Sequence, residues 1–366
     1  MTEKDSYQAQ LFANRLSKQY RQLRKWARKN RITCYRLYDR DIPEVPLACD
    51  LYTFVRDDVT DKLSAILALN EENAILSAND SRSAAVLQDI AARTYVHLYL
   101  YERPYEKPAE EEEAWLNAMA EQSALTVGID RSHVIIKTRR RQSADEDGKR
   151  SQYQKTESTR TITGTVLEQG QLFTVNLTGY IDTGLFFDHR ILRDRVRSES
   201  KGKKVLNLFC YTGSFSVYAA EGGAKTVESV DLSNTYLDWA QKNMNANGFT
   251  DDERYVFTRQ DVGAFLSSKK NTYDIIILDP PTFSNSKKTE HTLDINRDWP
   301  VLVQQCLELL SPHGTLYFST NSRRLTFTAE LLPKECIVKD LSAQTIPEDF
   351  RNTKIHRVWS ITRQEA

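Results

Sequence analysis

The pattern of hydrophobic and polar positions changes near Lys203. Beyond this residue, short apolar runs alternate with longer segments in which apolar residues recur every three or four positions. The first pattern is typical of buried strands and the second of amphipathic helices, so their alternation predicts a parallel α/β sheet. Strands are predicted at 205–209, 226–230, 255–258, 275–278 and 315–319. Helices are predicted at 215–221, 236–247 and 300–310.

The first 180 residues show a mixed pattern. An apolar stripe at helical spacing predicts an amphipathic helix near the N-terminus; it consists of Leu11, Phe12, Leu16, Tyr20, Leu23 and Trp26. Strands are predicted at 33–38, 95–101, 134–138, 161–167 and 172–177, with a helix at 111–122. The glutamates at 110–113 suit the positive end of that helix and are interpreted as structural.

The same patterns predict the domain organisation. A basic helix at 1–32 precedes a small mixed α/β accessory domain at 33–180, which we expect to bind RNA, and a sheet domain follows at 181–366. Residues 55–93 have helical spacing without a chemical motif and are predicted to be a helical insertion.

Charge is balanced over the whole chain but not along it. Lys plus Arg and Asp plus Glu each number 50. Residues 1–40 nevertheless hold eleven basic and three acidic side chains, a net charge of +8. A second basic run contains Lys137, Arg139, Arg140, Arg141, Lys149, Arg150 and Lys155. Clustered Lys and Arg predict a surface that contacts RNA phosphates, while a solvated helix face remains the alternative for the first cluster.

Cysteine usage and apolar content indicate the cellular setting. The five cysteines are odd in number and widely spaced, so neither a disulfide framework nor a cysteine metal site is expected. The N-terminus lacks the apolar stretch of a signal peptide, and no run approaches the roughly 18 apolar residues of a membrane helix. We expect a cytoplasmic protein that holds no metal and does not contact a membrane.

Candidate binding residues follow the predicted strands. Gly213 follows the first strand, Asp231 the second, Asp261 the third and Asp279 the fourth. Ligands of parallel sheets bind beyond the carboxyl ends of the strands, where a carboxylate can accept hydrogen bonds from ribose hydroxyls. The G-x-G-x-x-G pattern that cradles a pyrophosphate is missing, which weighs against a nicotinamide or flavin oxidoreductase. The residues therefore indicate a nucleoside ligand without a diphosphate.

The order and spacing of these residues resemble the class I S-adenosylmethionine-dependent methyltransferases, which have a Rossmann-like sheet. The stretches NLFCYTGS (207–214), DPPTFSNSK (279–287) and TGLFFDHR (183–190) resemble the RlmK-type 23S ribosomal RNA guanine-N7 methyltransferases, the C-terminal half of bifunctional RlmKL. The likeness extends to FANRL (12–16), CYRLYD (34–39), QYQK (152–155), DFRN (349–352) and IH (355–356), and so covers nearly the whole chain. It implies that 181–366 is the catalytic domain.

The resemblance implies S-adenosylmethionine as cofactor and assigns residues to it. The expected cofactor-binding residues are Phe187, Asp188, Arg190, Phe209, Tyr211, Thr212, Gly213, Asp231, Leu232, Ser233, Tyr236, Asp261, Val262 and Asp279. Arg190 is expected to face the methionine carboxylate, Asp231 the ribose, and Asp261 with Val262 the adenine. The expected catalytic residues are Asp279, Pro280, Pro281 and Phe283. His356 is interpreted as a packing residue.

The expected reaction is methyl transfer to guanine N7, whose in-plane lone pair requires no general base. Asp279 would stabilise the cationic product, and Phe283 would stack on an extruded base. Methylation of cytosine C5 is disfavoured because residues 318–322 contain no thiol nucleophile. Methylation of an exocyclic amine, guanine N2 or adenine N6, remains an alternative, as does a non-catalytic RNA-binding factor of ribosome assembly.

The resemblance also leaves partners open. The THUMP-containing companion half of RlmKL has no counterpart in this chain, so a separate THUMP-containing protein is considered as a partner beside the RNA. The sequence leaves the oligomeric state undecided, and it does not identify the nucleotide or whether free 23S RNA or an assembling subunit is methylated.

Overall fold

Two compact units make up the described part of the chain. The computed structural model describes residues 2–101, 108–138, 161–180, 182–284 and 292–363. The N-terminal unit holds the described residues up to 138, residues 161–183 and the segment Glu348–Arg351. The C-terminal unit holds Gly184–Pro347 and the chain from Asn352 onward. Most of the second basic run, from Arg139 to Lys155, lies outside the described residues.

A four-stranded sheet forms the centre of the N-terminal unit. In spatial order its strands are β1 (Cys34–Asp39), β2 (Leu47–Thr53), β3 (Thr94–Leu100) and β4 (Val134–Thr138). Only the β3–β4 pair is parallel among these neighbours. The helices of this unit are α1 (Glu3–Lys29), α2 (Lys62–Ala78), α3 (Ser83–Ala92) and α4 (Ala109–Val127). A separate antiparallel hairpin consists of β5 (Thr163–Glu168) and β6 (Gln171–Asn176).

Helix α1 is amphipathic, as the sequence predicts. Its N-terminus is closed by a capping box between Thr2 and Asp5. Its apolar stripe, with Phe12 and Leu16 fully buried, joins the core that contains Trp115 of α4. The opposite face is basic and exposed; it consists of Lys18, Arg21, Arg24, Lys25 and Lys29. The helix thus packs within the N-terminal unit and leaves its positive charge in solvent.

Two segments of the N-terminal unit were not predicted as they occur. Strand β2 contains Asp50, whose carboxylate accepts hydrogen bonds from the Arg36 guanidinium at 2.7 and 3.0 Å. The strand was not predicted because Asp50 interrupts its apolar run, and the sequence does not show that Arg36 neutralises this charge. The segment Glu348–Arg351, predicted within 181–366, groups with the N-terminal unit, where Asp349 accepts a hydrogen bond from the Arg36 amide at 3.0 Å.

A seven-stranded sheet forms the centre of the C-terminal unit. Its spatial order is β14, β15, β13, β10, β7, β8, β9. The strands are β7 (Lys204–Leu208), β8 (Thr226–Asp231), β9 (Tyr255–Arg259), β10 (Tyr273–Leu278), β13 (Leu310–Thr320), β14 (Cys336–Asp340) and β15 (Arg357–Arg363). Strands β7 to β10 and β13 are parallel, whereas β15 runs antiparallel to β13 and β14 to β15.

Helices and one small hairpin complete this unit. The helices are α5 (Arg190–Glu199), α6 (Ser214–Glu221), α7 (Asn234–Ala246), α8 (Val262–Ser268) and α9 (Ile295–Glu308). The hairpin pairs β11 (Phe283–Ser284) with β12 (Leu293–Asp294). Helix α9 begins five residues before the predicted start at 300, because Asp294 caps it by accepting a hydrogen bond from the Asn296 amide.

The strand order fixes where a ligand can bind. From β7 the chain moves outward to β8 and β9, and it then returns to the other side of β7 with β10. The carboxyl ends of β7 and β10 therefore flank the point where the order reverses, which is the usual ligand crevice of an open parallel sheet. The strand interiors, such as Leu206, Leu208 and Ile277, are fully buried and hold this edge rigidly.

Candidate active site

The loop after β7 has a strained backbone. Phe209 and Tyr211 have positive φ angles of 55° and 51°, and Gly213 has a φ of 74°. Side-chain-bearing residues rarely adopt this region, and such strain concentrates at functional sites. A Cβ atom on Gly213 would lie 2.7 Å from the Cβ of Ala240 in α7, so only glycine fits there.

Hydrogen bonds tie this loop to its neighbours. The Thr212 hydroxyl donates to the Gly184 carbonyl at 2.6 Å, and the Asn243 side-chain amide donates to the Thr212 carbonyl at 2.9 Å. Gly184 itself has a φ of 102°, and a Cβ there would lie 2.3 Å from the Trp239 ring. Gly184 is thereby fixed beside the β7 loop at the sheet edge.

Asp231 ends β8 and faces this loop. Its Oδ2 accepts a hydrogen bond from the Tyr211 amide at 3.0 Å, and its Oδ1 accepts one from the Ser233 amide at 2.9 Å. Burial raises the pKa of this carboxyl above its usual range, although the backbone donors oppose the rise. Each carboxylate oxygen has two lone pairs, so both keep an acceptor site for a ligand hydroxyl.

The neighbouring strand brings Asp261 to the same edge. Asp231 pairs with Arg259 across β8 and β9, and the Gln260 amide donates to the Asp231 carbonyl at 3.2 Å. Asp261 caps α8 through a hydrogen bond from the Ala264 amide, and Val262 is buried behind it. Nearby, Ser233 caps α7, and the Tyr236 and Tyr211 rings meet edge to face with centroids 4.6 Å apart.

The Asp279–Phe283 loop follows β10 on the other side of β7. The Ser319 hydroxyl donates to Asp279 Oδ1 at 2.5 Å, and the Thr282 hydroxyl donates to Asn321 Oδ1 at 2.6 Å. Pro280 is buried and fixes the backbone between these anchors. The Phe283 side chain, in contrast, is 36% exposed. The loop thus presents one aromatic ring and one half-exposed carboxylate at the edge.

The segment from Phe187 to Arg190 completes the edge. Phe187–His189 form a short 3-10 helix that leads into α5. Arg190 has 0% exposure, and its guanidinium carbon lies 5.5 Å from the centroid of the buried Phe187 ring. His189 Nδ1 lies 3.2 Å from Asp188 Oδ2, and His189 Nε2 lies 3.5 Å from Asp279 Oδ1.

Burial and close charges shift the pKa values of these groups. Burial disfavours the imidazolium of His189, but the carboxylates of Asp279 and Asp188 outweigh it and raise the pKa of His189 to about 9. Burial also opposes ionisation of Asp188, yet His189 and His356 hold the pKa of that carboxyl well below its usual range. Burial and the charge of His189 lower the pKa of His356.

The ligand atoms of Asp188, His189 and His356 all lie within 4.8 Å of one another, which is close enough for a metal ion. A protonated His189 has no lone pair for a metal, so this geometry suits a hydrogen-bonded network better. Among the described residues, no helix is long and apolar enough to cross a membrane.

Sequence reasoning missed three residues of this site. Ser319 and His189 contact Asp279, and His356 Nδ1 lies 3.3 Å from Asp188 Oδ2. His189 lies inside the TGLFFDHR stretch, and a histidine between two recognised residues was the available signal. His356 also lay inside a stretch of family likeness, IH (355–356), but was interpreted as a packing residue. Ser319 carried no such signal, since Asp279 lies 40 positions away in the chain.

A parallel sheet whose edge gathers Gly213, Asp231, Asp261 and the Asp-Pro-Pro-Thr-Phe loop defines the class of the S-adenosylmethionine-dependent methyltransferases. Residues 84–342 match that protein family. Solved structures agree on the fold: a candidate methyltransferase complexed with SAH aligns with a TM-score of 0.66 and 21% identity over 96% of this chain and 81% of its own. A methyltransferase from Agrobacterium tumefaciens aligns with a TM-score of 0.51 and 21% identity, covering 74% of this chain and 85% of its own.

Curated relatives narrow the class. Ribosomal RNA large subunit methyltransferase K of Neisseria meningitidis is 41% identical over 96% of this chain and 86% of its own length. Ribosomal RNA large subunit methyltransferase K/L of Pseudomonas putida is 42% identical over 96% of this chain but only 42% of its own length. The chain belongs to the ribosomal RNA large subunit methyltransferase K family. The chain spans about two-fifths of the length of the K/L relatives that it matches.

Family membership confirms the predicted fold class, the enzyme class and S-adenosylmethionine as the cofactor. The alternatives of an oxidoreductase and of a non-catalytic assembly factor are therefore not retained.

Proposed function

We propose that this chain transfers a methyl group from S-adenosylmethionine to guanine N7 in large-subunit ribosomal RNA. The relatives named for ribosomal RNA methylation support the substrate class. The observation that carries the chemistry is the Asp279 carboxylate, 31% exposed, held by a hydrogen bond from Ser319 and followed in the same loop by the exposed Phe283 ring. A fixed negative charge next to a stacking surface suits a base that becomes cationic as it reacts.

The cofactor would be held by the β7, β8 and β9 loops. Asp231 would accept hydrogen bonds from the ribose hydroxyls with the lone pairs that its backbone donors leave open. Asp261 and Val262 would contact the adenine, while Leu232, Ser233 and Tyr236 would line the ribose side. Gly213 lets the loop pack against Ala240 without a Cβ clash, which keeps the neighbouring backbone open to a ligand.

The methionine end would lie against the 183–190 segment and the β7 loop. Arg190 is the basic group expected to face the carboxylate, with Phe187 and Asp188 beside it. Phe209, Tyr211 and Thr212 would contact the methionine and ribose from the strained loop. Because Thr212 is fixed by hydrogen bonds with Gly184 and Asn243, and the Tyr211 amide by one to Asp231, the loop can align the cofactor without first reorganising.

S-adenosylmethionine supplies an electrophilic methyl group on a sulfonium. The protein's own task is to align the acceptor and to stabilise the charge that appears on it. Guanine N7 attacks with a lone pair and loses no proton, so no general base is needed. Asp279 would stabilise the positive charge on the ring, Phe283 would stack on the base, and Pro280 with Pro281 would hold the loop in one shape.

Two other target atoms are weighed against this one. Methylation of cytosine C5 needs a reactive thiolate, but burial and the nearby Asp231 raise the pKa of the Cys210 thiol well above its usual range. An exocyclic amine could donate hydrogen bonds to the Asp279 carboxylate, so guanine N2 or adenine N6 remains the second candidate. The observation that supports this second candidate is the partly exposed Asp279 carboxylate, which can accept a hydrogen bond from an amino group.

RNA docking would use the basic face of α1. Its exposed side chains can neutralise phosphates while the apolar stripe stays buried. A separate THUMP-containing protein remains a proposed partner, because the chain spans 42% of the K/L relatives.

The direct test is nucleoside mass spectrometry of unmodified 23S ribosomal RNA after incubation with the protein and methyl-labelled S-adenosylmethionine. Labelled 7-methylguanosine is expected; the Asp279→Asn variant should lose about tenfold or more of the rate, and the exposed-site control Asp238→Asn should not. Labelled N2-methylguanosine or N6-methyladenosine would contradict the N7 assignment and support the amine alternative. No label in any RNA tested, with cofactor binding intact, would contradict ribosomal RNA as the substrate of this chain alone.

A further inference from the structure

His189 lies between two carboxylates and is almost completely buried, at 6% exposure. Its Nδ1 is 3.2 Å from Asp188 Oδ2, and its Nε2 is 3.5 Å from Asp279 Oδ1. Nε2 makes no hydrogen bond within the described chain, so Asp279 is its ionic neighbour. A buried nitrogen in this position is costly unless its charge is compensated.

We propose that His189 is a positioning residue for Asp279: as an imidazolium held by Asp188, it fixes the Asp279 carboxylate in the orientation that the methylated base requires. This inference rests on the proposed function, since it assigns Asp279 to the acceptor base. It adds a residue for which the fold alone gave no role.

A hydrogen-bonded chain behind His189 supports the assignment. Asp188 Oδ2 also accepts from His356 Nδ1 at 3.3 Å, and His356 Nε2 lies 2.9 Å from the Thr345 hydroxyl. This pattern fits a neutral His356 that donates through Nδ1 and accepts through Nε2. Asp188 is thereby held in place and can orient the His189 ring.

The same chain determines which Asp279 oxygen faces the substrate. Ser319 donates to Oδ1, and His189 Nε2 approaches the same atom. Within the described residues, Oδ2 accepts no hydrogen bond. Both anchors therefore hold one oxygen and leave the other for the base.

The local charges add up in favour of this role. Asp188 and Asp279 face His189 with negative charge, whereas Arg193 and a protonated His356 would oppose its protonation. The outcome is a His189 pKa of about 9, so the imidazolium persists at neutral pH. The imidazolium offsets one of the two carboxylates that face it. Asp279 is the more exposed of the two carboxylates, at 31% against 14% for Asp188, and so lies where a cationic ring would need negative charge.

The first test measures the pairing without any activity. Imidazole NMR of histidine-labelled protein is expected to show His189 titrating near pH 9 in the unaltered chain. In Asp279→Asn, the pKa of His189 should fall by about one unit or more, because one of its two carboxylates loses its charge. In the exposed-site control Asp238→Asn it should stay unchanged. An unmoved pKa in Asp279→Asn would overturn the proposal.

The second test measures positioning during catalysis. Single-turnover methyl transfer at saturating cofactor and RNA should slow about tenfold or more in His189→Gln, while cofactor affinity changes by less than about threefold. The unaltered chain should also lose rate as pH rises through about 9, and His189→Gln should lack this decline. The exposed-histidine control His313→Gln should match the unaltered chain in both respects.

Each outcome separates the two proposals. If no 7-methylguanosine forms but the pKa of His189 falls in Asp279→Asn, the proposed function fails and the pairing of His189 with Asp279 stands. If 7-methylguanosine forms and His189→Gln keeps the full rate and the same pH profile, the positioning role fails and the function stands. Tight Zn²⁺ binding that abolishes the His189 titration would also overturn the role, because a metal would occupy the nitrogen lone pair. If His189→Gln does not fold, the Asp279→Asn titration still decides.

Discussion

At the scale of single residues, the two carboxylates of the candidate site have different surroundings, and we propose different roles for them. Asp231 is enclosed by backbone donors from Tyr211 and Ser233 at the end of β8. Asp279, after β10, accepts a hydrogen bond from the Ser319 hydroxyl, and His189 Nε2 lies 3.5 Å from the same carboxylate oxygen. The first arrangement suits a group that is bound before the reaction, such as a ribose, and the second suits charge that appears only during the reaction.

Substitution should separate these tasks. Asp231→Ala is expected to weaken S-adenosylmethionine binding about tenfold or more, since hydrogen bonds to a charged group are worth roughly 1.5–3 kcal/mol. Phe283→Ala is expected to leave that affinity nearly unchanged and to slow methyl transfer. Calorimetry and single-turnover kinetics measure the two effects, with the exposed Asp238→Ala as control. Equal losses of cofactor affinity in both variants would refute this division of labour.

The pH dependence of stability belongs to the same scale. The folded chain raises the pKa of His189 from about 6.5 to about 9, so the protonated ring favours the folded state. This contribution is fully present below about pH 6.5 and is lost as pH rises through about 9. Urea unfolding of the unaltered chain should therefore weaken over that window, on the order of 1–3 kcal/mol. His189→Gln should show a smaller decline; an equal decline would mean that other groups cause it.

At the scale of elements, the β7 loop and helix α1 each combine a packed side with an accessible side. The loop combines positive φ angles at Phe209, Tyr211 and Gly213 with close packing on α7. Helix α1 combines a buried stripe with an exposed basic face. In both elements, packing on one side fixes the groups that remain available on the other.

Substitution of two glycines can separate the energetic cost of packing at the β7 loop from the cost of a positive φ angle. In Gly213→Ala, the new residue must adopt a φ of 74°, and its Cβ would lie 2.7 Å from Ala240. In Gly248→Ala, the new residue must adopt a φ of 83°, but its Cβ would have no atom within 4 Å. The control should cost about 1–2 kcal/mol of unfolding free energy, the ordinary penalty of that backbone region. Gly213→Ala should cost more and should also weaken cofactor binding. Denaturant titration and calorimetry measure the difference, and equal costs would show that the contact relaxes freely.

The basic face of α1 should contribute to RNA affinity through phosphates. Exchanging Lys18, Arg21 and Lys25 for Glu is expected to weaken RNA binding and to lower the slope of affinity against salt by roughly one for each phosphate that is no longer neutralised. The matched control exchanges Lys334, Lys339 and Lys354, which are exposed in or beside the C-terminal unit's outer strands. Filter binding at several salt concentrations provides the measurement. Equal effects of both triple variants would indicate a general charge effect.

At the scale of the whole molecule, the two units carry different chemistry. The C-terminal unit gathers the residues that we propose to contact the cofactor and the acceptor base at one sheet edge, and the N-terminal unit presents the basic helix. Each unit has its own buried core. Cofactor and RNA should therefore leave distinct footprints on the chain.

Hydrogen–deuterium exchange can record these footprints. S-adenosylmethionine should slow amide exchange in 207–214 and 228–236, because a bound ligand stabilises the closed form of the loops that contact it. Ribosomal RNA should slow exchange in helix α1, Glu3–Lys29, which carries the basic face. Cofactor protection confined to the N-terminal unit would contradict the assigned site. A nicotinamide dinucleotide, which needs a phosphate loop that this chain lacks, is the negative control.

Much of the fold was determined locally. Apolar runs of strand length, helical spacing in α1 and turn residues after strands predicted β7 to β10, α6 and α7 to within a few residues. Strand β2 escaped prediction because Asp50, inside its apolar run, is neutralised by Arg36. Strand β14 escaped because most of its residues are exposed and give no buried apolar run, and β15 was not predicted either. Local patterns can show that an apolar run is buried, but they cannot show what compensates a charge inside it.

The candidate site divides in the same way. The sequence alone placed Gly213, Asp231, Asp261 and Asp279 after successive strands, since a parallel sheet aligns all strand ends at one edge. Only the tertiary structure brought His189, Ser319 and His356 to the carboxylates of Asp188 and Asp279, across separations of up to 168 positions in the chain. Ionic pairing depends on distance and burial, which folding sets and which no single stretch of sequence contains.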